Sequence, residues 1–123
     1  MNKASNMAAN LDFSYIHDIA GGQTEPFLNL LKIVSKNLNE YPPKLKEAFD
    51  HEDWLSLKEL AHKYKSCTAY LNFPELNEKL VDLEFAKERE LGKSEINEIL
   101  NLVVEYSLFT QEKVTEKLAE ILT

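Results

Sequence analysis

The chain has 123 residues, is 44% hydrophobic and 28% charged, and carries a formal net charge of −7 and one cysteine. That length fits a single domain able to bury a core of its own, and the acidity disfavours nucleic acid as a partner. Cys67 alone excludes an internal disulfide and fits a reducing compartment. No apolar run approaches the roughly 20 residues that span a bilayer, so no membrane insertion is expected and the cytoplasm is the simplest location.

Residues 1–10 are polar and lack the apolar stretch of a signal peptide. They are expected to be a flexible N-terminus, with one domain over 11–123. The three glycines (21, 22 and 92) and four prolines (26, 42, 43 and 74) fall as punctuation between segments rich in Leu, Glu, Lys and Ala. With no β-branched runs or two-residue hairpin signals, the chain reads as all-α. A short first helix fits Asp12 to Ala20, stopped by Gly21. A second starts near Thr24 with Pro26 in its first turn. Its stripe is Phe27, Leu30, Leu31, Val34 and Leu38. Pro42-Pro43 should kink or interrupt it, with Leu45, Ala48 and Phe49 resuming the apolar face.

Asp53 is the expected N-cap of a third helix running to about Leu71. Pro74 opens a fourth, with Leu76, Leu80, Leu83 and Phe85 inward, which ends before Gly92. Ser94 is the expected cap of a long fifth helix. Its stripe is Ile96, Ile99, Leu100, Val103, Thr110, Val114, Leu118 and Ile121. Short connections make consecutive long helices antiparallel. The expected architecture is an up-down four-helix bundle with a short additional N-terminal helix.

On a wheel of 100° per residue, Leu60, Ala61, Tyr64, Thr68 and Leu71 cluster within about 60° of Leu57 and form the buried stripe of the third helix. His62 falls at roughly 140°, beside Leu55, Lys58, Lys65, Ser66 and Ala69. It is therefore expected in solvent, where a neutral imidazole is a competent nucleophile. Lys65, one turn on, is placed to offset the charge of an anionic group carried by the ring. Small Ser66 and Ala69 leave room for a partner, and Leu55 and Lys58 extend the same face as a docking patch. An exposed histidine between lysines is by default a solvated side chain.

The run Leu60-Ala61-His62-Lys63-Tyr64-Lys65-Ser66-Cys67-Thr68 resembles the signature of histidine-containing phosphotransfer (HPt) domains. These have an apolar-Ala pair, the phospho-accepting His, and Lys three residues on. Leu71, Leu76 and Leu83-Glu84 match the downstream pattern, and Ala48-Phe49-Asp50 through Asp53-Trp54 matches the turn before the His helix. The resemblance covers roughly residues 12–122. It implies that His62 is the phospho-acceptor, that Lys65 stabilises the phosphoryl charge, and that Glu84 orients the imidazole through Nδ1. It also implies a monomeric carrier without cofactor of its own. The partners would be receiver domains of response regulators, which supply the divalent metal, or a hybrid sensor histidine kinase. Two positions depart from the pattern: Ser66 and Asn72 stand where the family has glycine. Serine there offers a hydroxyl to the phosphoryl group, and asparagine tolerates a left-handed turn.

The same residues fit other classes poorly. No Gly-rich phosphate loop is present, so no kinase activity is expected. His51 and His62 lie too far apart along a helix to share a metal. His62 and Cys67 point to different sides, and Cys67 sits near the edge of the buried stripe, as packing cysteines do. An alternative of the same fold remains: a helical bundle that binds a signalling partner without relaying phosphate, favoured only by Ser66.

Overall fold

The computed structural model describes residues 11–123, so the expected flexible segment 1–10 lies outside the described residues. The elements are α1 (Ser14–Ile19), α2 (Thr24–Asp50), α3 (Trp54–Thr68) with a 3₁₀ turn over Ala69–Leu71, α4 (Pro74–Glu84) and α5 (Lys93–Leu122). No strand occurs among the described residues. α2 packs on α3 and α5, and α4 packs on the same two, which closes an up-down ring of four. α1 lies across α2 and the 3₁₀ turn. The all-α bundle with an added N-terminal helix is as expected.

The core is built from the apolar stripes. Leu31 and Leu45 of α2, Leu57, Ala61 and Tyr64 of α3, Leu76 and Leu80 of α4, and Val103 and Val114 of α5 have almost no exposed surface. Full burial of each Leu or Val is worth about 1.5–3 kcal/mol over leaving it in water.

Four boundaries differ from expectation. Helix α1 starts at Ser14, with Phe13 as its N-cap residue; Asp12, one residue further out, accepts bonds from the Ser14 N–H at 3.1 Å and its hydroxyl at 2.8 Å and so stays outside the helix. Gly21 and Gly22, at φ 65° and 73°, stop it as expected. Helix α2 is not interrupted at Pro42-Pro43 but runs through both. It gives up two backbone bonds there, those to the carbonyls of Leu38 and Asn39, while Leu38 and Leu45 on either side are held in the core. Helix α4 ends at Glu84 rather than just before Gly92. Phe85 leaves helical geometry, and the Leu91 N–H returns to the Ala86 carbonyl to close a turn. Helix α5 is capped at Gly92, not Ser94. Glu95 accepts a bond from the Gly92 N–H at 3.2 Å, which is the carboxylate half of a capping box.

Candidate functional site

Helix α3 starts where Asp53 accepts the Ser56 N–H at 3.1 Å and the Ser56 hydroxyl at 2.7 Å. Those bonds hold the Asp53 carboxyl below the usual range. Leu57, Ala61, Tyr64 and Thr68 are buried, as the wheel required. The rotation of the helix is then fixed by polar and aromatic contacts. The Tyr64 hydroxyl pairs with that of Ser107 on α5 at 2.6 Å. Its ring stacks on Tyr41 of α2 at 5.0 Å, and Thr68 donates to Asn77 of α4. Burial pushes the Tyr64 phenol far above its ordinary range, so it stays neutral. With Ala61 facing inward, the next residue must face out. The His62 side chain is 61% exposed.

Helix α4 brings the second group. Pro74 opens it at the first-turn position where no N–H is needed. Leu76, Leu80 and Leu83 face the core, and Glu84, next to Leu83, is carried to the rim of the α3–α4 contact. Its carboxylate is only 9% exposed. A carboxylate so shielded must be paired, and each oxygen has its own donor. His62 Nδ1 lies 3.0 Å from Oε2, and Lys65 Nζ donates to Oε1 at 2.7 Å. Burial raises the Glu84 pKa, but the bonds and charges of Lys65 and His62 outweigh it, and the net shift is down. An ionised carboxylate can only accept, so Nδ1 must carry the hydrogen. In a neutral ring that leaves the Nε2 lone pair free, on an exposed ring.

The structure thus brings together His62, Lys65 and Glu84. Lys65, expected to stand ready for an anion on the ring, already has Glu84 as a partner. Of the four expected docking residues, Leu55 is 67% exposed, and Ser66 and Ala69 are exposed on the same side of α3. Lys58 is half-buried, paired with Glu88, and lies over the Phe85 ring at 5.2 Å. Ser66 bonds the His62 carbonyl at 3.2 Å, a backbone contact one turn back, rather than pointing along the ring. Asn72 adopts the left-handed conformation expected of it, φ 52° and ψ 41°. Cys67 is half-buried, gives its thiol to the Lys63 carbonyl and has its pKa raised by burial. That environment makes it a packing thiol.

Sequence reasoning missed one feature of this face. Next to Ser66 and Cys67 is an apolar groove of about 280 Å³, lined also by Ile19 of α1, Leu30 and Ile33 of α2, and Tyr70. Ile19, Ile33 and Tyr70 are exposed, and Tyr15 stacks on Tyr70 at 5.6 Å beside it. The available signal was Ile33, a large apolar residue standing off the stripe of its own helix. A larger cleft, of about 500 Å³ between α1 and the end of α5, shares no residue with the His62 face. Among the described residues no cluster of three or more His, Cys, Asp or Glu side chains could hold a metal ion, and no helix is long and apolar enough to cross a membrane.

No family model and no curated protein matches the sequence. Among solved structures, the chain is similar to the HPt domain of the sensor hybrid histidine kinase from Shewanella. The TM-score is 0.74 and the identity 17%, over 89% of this chain and 94% of that one. The bundle described above therefore has the HPt fold, the one that the residues around His62 resemble.

Proposed function

We propose that the chain carries phosphoryl groups in a phosphorelay, accepting them on His62 from an aspartyl phosphate of one receiver domain and passing them to another. The observation that carries this reading is an exposed imidazole whose Nδ1–H is held by the ionised Glu84, on a bundle with the HPt fold. Nε2 attacks phosphorus as the P–O bond to the aspartate breaks, and the carboxylate leaves. The ring becomes cationic at that moment, and Glu84 is already in place beside it. The bundle contributes position and charge. The divalent ion that phosphoryl transfer uses is assigned to the receiver. Leu55, Ser66, Ala69 and the groove around Ile33 and Tyr70 supply a docking surface around the ring.

The test is incubation with a phosphorylated receiver domain. Acid-labile, base-stable label should appear on the protein and be absent from His62→Gln. Label that persists in His62→Gln sinks the assignment. Binding to receivers without any transfer would favour the non-relaying bundle instead.

A further inference from the structure

Glu84 meets the His62 ring through a hydrogen bond that does not involve the reacting nitrogen. Phosphorylation of Nε2 therefore leaves both atoms of this bond chemically untouched. What changes is the ring: a neutral imidazole that gains a phosphoryl group on Nε2 while keeping the hydrogen on Nδ1 is a cation. Whether it stays one decides how readily the phosphoryl group departs. If Nδ1 keeps its hydrogen, the P–N bond breaks with its electron pair on Nε2, and neutral imidazole leaves. If Nδ1 has lost it, the leaving group is imidazolate, far more basic and correspondingly slow to go.

From this arrangement we infer that Glu84 is a positioning residue for the phosphorylated state: it retains the Nδ1 proton after transfer and so keeps phosphohistidine primed as a donor. The inference rests on His62 being the carrier. The charged groups around the ring fit it. Along α3 these are Lys58, Glu59, Lys63 and Lys65, and from α4 and the turn that follows it they are Glu84 and Glu88. Glu88 is taken by Lys58. Glu84 is the carboxylate in contact with the ring. Lys65 donates to its other oxygen and fixes the carboxylate beside the ring. Glutamine could not do the same, because its amide accepts from a protonated Nδ1 and donates to an unprotonated one equally well.

The experiment uses phosphoramidate, a small donor that needs no receiver domain, to label the full chain and its Glu84→Gln variant. Nitrogen NMR of the labelled wild type at pH 8 should show Nδ1 still protonated. The label should be lost to water about tenfold faster from wild type than from Glu84→Gln, the effect of about one order of magnitude in proton retention. In that loss, water forms the new P–O bond and releases a proton, while the Nδ1 hydrogen stays on the ring. An unprotonated Nδ1 in the labelled wild type, or equal lifetimes in the two proteins, overturns the inference, as does failure of phosphoramidate to label His62. Labelling by phosphoramidate without transfer from receivers would instead sink the relay reading alone. The spectrum of the wild type does not depend on how well the variant folds.

Discussion

The hydroxyls of Tyr64 and Ser107 meet at 2.6 Å inside the core and tie α3 to α5. Both residues are buried, so a hydroxyl that loses its partner there is left shielded from solvent. Tyr64→Phe should therefore cost about 1–3 kcal/mol, the penalty for stranding a buried hydroxyl. Tyr64→Phe combined with Ser107→Ala should recover part of that loss, because the orphan is removed with its partner. Denaturant unfolding of these two variants, of Ser107→Ala alone and of wild type measures the coupling. Strict additivity would mean the bond does not tie the helices together.

Glu84 links stability to pH in a definite direction. Its carboxyl is held below its ordinary value of 4.5 by Lys65 and His62. A group with a lowered folded pKa stabilises above its unfolded value and loses that contribution as pH falls through the folded one. The stability difference between wild type and Glu84→Gln should thus be fully present at neutral pH and vanish on acidification below the ordinary carboxylate range. Thermal unfolding across that range reads it. A gap that widens in acid would contradict the pairing.

The groove beside Ser66 makes a separate prediction. Ile33 is exposed and takes no part in the core, so Ile33→Glu should leave the thermal midpoint and labelling by phosphoramidate unchanged. Transfer from a phosphorylated receiver should nevertheless fall about ten- to a hundredfold, as expected when a charge replaces an apolar anchor in an interface. Parallel rates with the two donors separate docking from chemistry.

Asn72 sits at φ 52° just after the 3₁₀ turn. Asn72→Val should cost about 1–2 kcal/mol, since a β-branched residue resists the left-handed region. Asn72→Gly should be well tolerated, since glycine is at home there. Circular dichroism melting curves decide between them.

The residues whose roles follow from one helix were legible in advance. Leu57, Ala61, Tyr64 and Thr68 had to share a face, and that put His62 on the opposite one. The partnership of Lys65 was not legible, because it depends on how α4 is rotated against α3, and a wheel drawn for one helix says nothing about its neighbour. Phe85 misled for a related reason. It continues the apolar spacing of α4, yet no glycine or proline marks the break. Its ring is used instead between the cations of Lys58 and Arg89, at 5.2 and 5.7 Å. Ser94 looked like a cap because its side chain suits the task, but the backbone turns into the helix at Gly92, two residues earlier.

The passage of α2 through Pro42-Pro43 divides that helix mechanically. Two consecutive rungs are missing from its ladder, so the turn around them should exchange amide hydrogens faster than the protected blocks on either side. The block before the prolines carries Leu30, Ile33 and Val34 of the apolar groove, and the block after them, Leu45 to Phe49, braces the start of the histidine helix. On the proposed reading, a receiver domain pressing on the groove would move one of its walls while the bracing under His62 stays still. The molecule joins a segmented helix along its apolar groove to an unbroken helix that carries His62.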